Sequence, residues 1–180
     1  MAILFFGRKD PHFSFSNFAR HPVDIYGRTW ATSEHAFQAM KFQHRPDLVQ
    51  RVYEADSPGK AAEIGRDRSL PLRPDWDKHP GDLIDQIPGG PFPAFWPDDG
   101  IIRPKPCEAM LARVKDLVMY EVCLAKFTQH EALRQELLGT GTEILIEDTT
   151  SSGDAYWGWG RDHLGENKLG RILMAIRSRI

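Results

Sequence analysis

The chain has 180 residues, enough to bury the core of one domain and too few for two, and its 41% hydrophobic and 27% charged residues exclude a disordered, fibrous or membrane-spanning chain. A net charge of -2 gives no electrostatic footprint for a long nucleic acid, though a local basic patch for one or two phosphates is compatible with it. The 7 histidines and 2 cysteines include no His-x-x-x-His or Cys-x-x-Cys pair, so no metal is expected.

Taken in order, the first thirty residues read as short strands joined by turns: Ile3 to Phe6, an alternating Phe13 and Phe15, and Val23 to Tyr26, with Gly27 turning toward Trp30. The N-terminus has no basic lead before a long apolar run, so no signal peptide is expected and the cytoplasm is the expected compartment. Thr32 or Ser33 is placed to cap a helix ending near His44, and Pro46 opens a second helix through about Glu54. Ser57-Pro58 opens a third that stops at Gly65.

Positions 77–106 are dense in proline and glycine yet hold Phe92, Phe95 and Trp96, the pattern of a long irregular insertion packed on the body. From Glu108 to Phe127 apolar residues recur at three and four, which predicts the longest helix. If it is continuous and reaches back to Cys107, its rise holds Cys107 and Cys123 about 24 Å apart and excludes a disulfide between them. A helix over 131–138, a strand from Glu143 to Glu147, a polar glycine-rich loop and a closing helix from Asn167 to Arg179 complete the order. The expected class is α+β, a single, mostly helical domain over 1–180 with a small β unit.

Within the first helix, Glu34, Gln38 and Lys41 stand at i, i+4 and i+7, which aligns a carboxylate, an amide and an amine on one face beside Phe37. An acid and a base walled by an aromatic are the parts of a small active site; a solvated helix face is the alternative reading. Arg66 and Arg68 follow Gly65, where guanidinium forks suit a phosphate, or where Arg66 pairs with Asp67 or Asp75. Asp154, Tyr156, Trp157 and Trp159 interleave with Gly153, Gly158 and Gly160, offering flat surfaces on which a base could stack. Asp154 is the second candidate carboxylate or a turn cap, Trp157 a stacking wall or a core anchor. Asn167 reads most simply as a helix N-cap.

The blocks Phe15-Ser16-Asn17-Phe18, Trp30-Ala31-Thr32-Ser33-Glu34-His35-Ala36-Phe37-Gln38-Ala39-Met40-Lys41-Phe42, Gly65-Arg66-Asp67-Arg68, Trp76, Lys126-Phe127, Asp154-Ala155-Tyr156-Trp157-Gly158 and Asn167-Lys168-Leu169-Gly170, in this order, resemble the NADAR family, which includes the YbiA-like N-glycosidases. The resemblance runs from about residue 4 to 178, and departs from compact members between Asp77 and about Arg113. It implies a mostly helical α+β fold without a cofactor, cleaving the C1′-N bond between a ribose carrying 5′ phosphate and a planar base. Two substrate classes are associated with it: ribosylamino-pyrimidine phosphates of riboflavin synthesis, and ADP-ribose attached to guanine, which would bring a modified base of a nucleic acid to the site.

With that resemblance, Glu34, Lys41 and Asp154 become the expected catalytic residues, with Glu34 and Asp154 as anion and general base. Lys41 is expected to act as a nucleophile or as a charge. Arg66 and Arg68 are expected to hold phosphate, Trp30, Tyr156 or Trp157 to stack the base, Asn17 to orient a sugar hydroxyl, and Gln38 and Asn167 to contact substrate. The competing reading is a module that binds ADP-ribose or a related nucleotide without cleaving it.

Overall fold

The computed structural model describes residues 1–79 and 113–180. Phe92, Phe95, Trp96 and Cys107, and the expected insertion from position 80 onward, lie outside the described residues. The architecture is α+β. Strands β1 (Ala2–Phe5) and β4 (Ile144–Glu147) pair in parallel, Phe5 opposite Glu147, which brings the start of the chain beside its last strand. Strands β2 (Val23–Ile25) and β3 (Arg28–Trp30) form an antiparallel hairpin. Its turn residues Tyr26 and Gly27 both have positive φ, 56° and 75°, the twist that suits a two-residue hairpin.

Phe13–Phe15 is a 3₁₀ turn rather than the expected strand. Among the described residues no strand pairs with it, and local bonds from Phe15 N to His12 O and from Ser16 N to Phe13 O serve its backbone. Phe15 is buried in the core while Phe13 stays half-exposed, so the alternating aromatics serve a turn as well as they would a strand.

Helix α1 (Ser33–Met40) begins where Thr32 Oγ1 accepts the His35 N–H. All eight of its residues are buried, so it is a core helix and not a surface one. It ends at Met40, short of His44, because Lys41 closes it with tighter bonds and Lys41 O accepts from Arg73 N at 2.9 Å. Helices α2 (Pro46–Tyr53), α3 (Pro58–Arg66) and α4 (Val114–Gln129) pack around it, and α4 also meets α5 (Glu131–Gly139) and α6 (Lys168–Arg177). Helix α3 is capped by Ser57 as expected.

The start of α4 corrects the expected helix from Glu108. Arg113 is extended, with φ -138° and ψ 156°, and its N–H is taken by Asp116 Oδ2 at 3.0 Å, so α4 opens at Val114. The continuous helix that would separate Cys107 from Cys123 therefore fails at Arg113, and with it that argument against a disulfide. Cys123 is free and buried. Among the described residues no helix is long and apolar enough to cross a membrane.

The buried apolar residues form a continuous cluster running from Phe5, Phe15 and Trp30 through Phe37 and Phe42 to Tyr120, Phe127 and Leu173. Each large side chain removed from water there contributes roughly 1.5–3 kcal/mol before conformational entropy is subtracted. Helix α6 approaches β4 unusually closely. A Cβ on Gly170 would lie 2.2 Å from Leu145 O. Gly170→Ala is therefore expected to lower unfolding stability by about 2 kcal/mol or more through backbone overlap. Gly139→Ala, where a Cβ meets nothing within 4 Å, is expected to leave stability unchanged or slightly raised, both read from denaturant melts.

Asn167 departs from its N-cap expectation. It sits in the left-handed region at φ 49° and caps nothing with its side chain. Its Nδ2 donates to Leu145 O at 2.8 Å and its Oδ1 accepts from Glu147 N at 3.0 Å, tying the start of α6 to β4.

Candidate active site

A cleft of about 480 Å³ opens between α1, the residue 6–18 segment, the end of α3 and the loop that follows β4. That size is ordinary for a small-ligand site. Glu34, Gln38 and Lys41 all line it, so the column predicted from helical spacing faces a concave surface. Glu34 is only 6% exposed. Its Oε1 accepts from Gln38 Nε2 at 2.7 Å, and its backbone N–H donates to Asn17 O at 3.1 Å. Burial raises the Glu34 carboxyl above its usual range, while Gln38, Lys41 and Arg66 pull it back toward ionisation.

Lys41 lies in a narrow setting. Its Nζ donates to Gly65 O at 3.0 Å and sits 5.6 Å and 6.0 Å from the ring centres of Phe37 and Trp76. Removal from water brings its pKa down to about 8, Glu34 opposes that shift, and Arg66, Arg68 and Lys115 add to it. Gly65 also packs closely on Gln38: a Cβ there would fall 1.8 Å from Gln38 Oε1. The absence of a side chain at Gly65 thus leaves room for the Gln38 amide that bonds Glu34.

Arg66 and Arg68 line the cleft with exposed guanidinium groups. The carboxylates expected as their partners are engaged elsewhere: Asp67 Oδ1 accepts from Ser69 N and Oγ, and Asp75 accepts two bonds from Arg73, at 2.5 and 2.6 Å. Among the described residues neither Arg66 nor Arg68 forms an ion pair with a carboxylate. Two cations without carboxylate partners at the mouth of a cleft form a ready anion grip.

The loop after β4 supplies the facing wall. Asp154 lines the cleft and also caps a turn, its Oδ1 accepting the N–H groups of Tyr156 and Trp157 at 2.9 Å each. Its turn-cap reading therefore holds, and the cap leaves the residue in the cleft wall. Trp157 lines the cleft half-buried, its ring edge-on to Phe37 with centroids 5.4 Å apart. Asn17 is also in the wall. Its amide touches Met119 Sδ and Cys123 Sγ, weak partners that leave hydrogen-bonding capacity for another group. The fully buried Lys126 holds this segment in place by donating to the carbonyls of Ser14 and Ser16, the latter at 2.9 Å.

Three expected contacts lie outside the cleft. Trp30 is fully buried, its Nε1 donating to Ile25 O, and serves the hairpin core. Tyr156 turns away: its hydroxyl donates to the buried Asp116 at 2.5 Å and Lys115 Nζ stands 3.9 Å from its ring centre. Asn167 spends its amide on β4 and reaches the site only through the backbone of Glu147.

The sequence reading missed Glu147, Trp76 and Lys115, all of which line the cleft. Glu147 carries a signal in hindsight. On a strand, residues two apart share a face, so Glu147 follows the fully buried Leu145 onto the inner side, where an acid is out of place unless it has a task. Burial, reinforced by Asp154 and Glu34, pushes the Glu147 carboxyl up to about 8.

Known proteins share this arrangement of segments. The sequence profile of the NADAR domain matches residues 105–180. The chain is 36% identical to N-glycosidase YbiA of Escherichia coli, over 99% of this chain and 88% of that protein, and 32% identical to an N-glycosidase of Nostoc punctiforme, over 100% and 93%. It is also 32% identical to the chloroplastic riboflavin biosynthesis protein PYRR of Zea mays, over 99% of this chain but 25% of that protein. The NMR structure of E. coli YbiA superposes with a TM-score of 0.70 at 35% identity, covering 99% of this chain and 86% of the other. Identity of this level across nearly the whole of both proteins, on a shared fold, decides the assignment: the chain belongs to the NADAR family and is an N-glycosidase.

Proposed function

We propose that the chain hydrolyses the C1′-N bond of a ribose that carries 5′ phosphate and is joined through nitrogen to a planar base, with Lys41 as nucleophile. The observation that carries this reading is the common placement of Lys41, Glu34 and Asp154 in one cleft whose mouth holds Arg66 and Arg68. Phosphate sits on the two arginines, the sugar lies along Lys41 and Glu34, and the base rests against Trp157.

Lys41 Nζ in its amine form bonds to C1′, and the C1′-N bond breaks with its electron pair leaving on the base nitrogen, which takes up a proton. The new ammonium passes a proton to Glu34. Opening of the sugar ring then gives a protonated imine between Lys41 and C1′: the C1′-O bond breaks as the nitrogen lone pair forms the double bond, and the ring oxygen becomes a hydroxyl by taking back the proton held on Glu34. Water adds to C1′, Asp154 accepts its proton, and the imine nitrogen departs as the Lys41 amine, releasing the free sugar phosphate. The lowered pKa of Lys41 supports the nucleophilic role, because about a tenth of the side chain is then free amine at pH 7.

A ribosylamino-pyrimidine 5′-phosphate is the favoured substrate class. The near-neutral net charge supports a small molecule over an extended nucleic-acid track, and the Zea mays relative is named for riboflavin biosynthesis. Chromatographic base release from this substrate and from ADP-ribosylated guanosine, beside calorimetry with ADP-ribose, tests the reading. Release from the pyrimidine compound at the higher kcat/KM is expected; ADP-ribose binding without product from either would instead identify a binding module.

A further inference from the structure

We propose that Glu147 is the proton donor to the departing base nitrogen, a catalytic residue of the reaction proposed above and dependent on that reading. The hydrolysis requires such a donor, and Glu34 and Asp154 already have proton-accepting roles. Three observations single out Glu147.

First, its Oε2 is buried and has no hydrogen-bond partner among the described residues, while the residue lines the cleft. An ionised carboxylate with an unpaired buried oxygen is costly, whereas a neutral carboxylic acid is tolerated and carries the proton that the step consumes. Its elevated pKa agrees with that form near neutrality.

Second, its backbone is fixed from both sides. Its N–H is bound by Asn167 Oδ1 at 3.0 Å, and its carbonyl accepts from Trp159 N at 3.2 Å and Thr149 N at 3.0 Å. A Cβ on Gly158 would come within 2.5 Å of that same carbonyl. So rigid a mounting is what proton transfer at a set position requires. It also gives Asn167 its place in the site, as a positioning residue for Glu147.

Third, Glu147 lines the same cleft as Glu34, Asp154 and Trp157, the ring against which the base would rest, so the departing nitrogen and this acid border one space. In the step, the C1′-N electron pair takes the Glu147 proton to make the N–H of the released base. Glu147 is left as a carboxylate and is reprotonated by the proton that Asp154 took from water.

The test compares Glu147→Gln with the parent on two substrates, a ribosylamino-pyrimidine 5′-phosphate and 4-nitrophenyl ribofuranoside 5-phosphate, whose nitrophenolate departs without a proton. The expected result is a loss of kcat of about 100-fold or more on the first and a change within about threefold on the second. Glu147→Asp, which keeps the proton but withdraws it, should show the same selectivity with a smaller loss and serves if the glutamine variant does not fold. Equal losses on both substrates, or no loss on either, would overturn the assignment. A parent that cleaves neither substrate would instead sink the proposed function, and this role with it.

Discussion

Lys41→Ala and Glu34→Gln are expected to lower base release by about a thousandfold or more in proteins that remain folded, since each removes a group that bonds to or exchanges protons with the reacting atoms. Chromatographic turnover of the ribosylamino-pyrimidine 5′-phosphate measures this, with thermal melts to show that the fold survives. Glu34→Gln keeps the shape next to Gln38 and removes only the charge, so parental activity in that variant would remove Glu34 from the mechanism. Borohydride should trap a covalent adduct on the parent and none on Lys41→Ala.

The pH dependence separates the two roles that Lys41 could play. With its pKa brought down to about 8, the amine fraction grows as pH rises and is nearly complete above 9. On the nitrophenyl substrate, which needs no proton donor, a nucleophilic Lys41 gives a rate that climbs from pH 6 through 8 and then levels. Protonation of Glu34, whose carboxyl is itself raised by burial, deepens the loss on the acid side. A lysine acting as a cation gives the opposite trend, a rate that falls as pH passes 8.

The second large effect is expected at the mouth. Replacing both Arg66 and Arg68 by alanine should raise KM for 5′-phosphorylated substrates by about 100-fold or more, because charge-assisted hydrogen bonds to a phosphate contribute roughly 1.5–3 kcal/mol each. The same variant should act on the unphosphorylated riboside within about threefold of the parent. Equal losses on both would show that the arginines do not grip phosphate. A linked shift is also expected: both arginines help depress Lys41, so their removal should move the rising limb of the rate toward higher pH.

Much of the site was legible in local sequence because a helix imposes its own geometry. The spacing of Glu34, Gln38 and Lys41 dictates one face wherever the helix lies, and Thr32 and Ser57 announce their helices through backbone N–H groups that a hydroxyl can reach. Residues whose roles depend on distant partners were harder to read. Trp30 and Tyr156 look alike as candidate stacking surfaces, yet Trp30 closes the hairpin core and Tyr156 is drawn off by Asp116 on α4, forty positions away. Asn167 resembled a cap because its neighbours start a helix, but its amide meets β4, twenty residues earlier.

The order of the helices, the acid–amide–amine column and the family were set by the sequence alone, since they rest on short-range spacing and on identity along the chain. Tertiary structure decided that the column faces a cleft, that Arg66 and Arg68 are without carboxylate partners among the described residues, and that Glu147 joins Glu34 and Asp154 there. The physical reason is that burial and pairing are properties of surroundings. The same carboxyl is an ordinary surface acid or a proton donor according to how much water and which charges the fold leaves beside it.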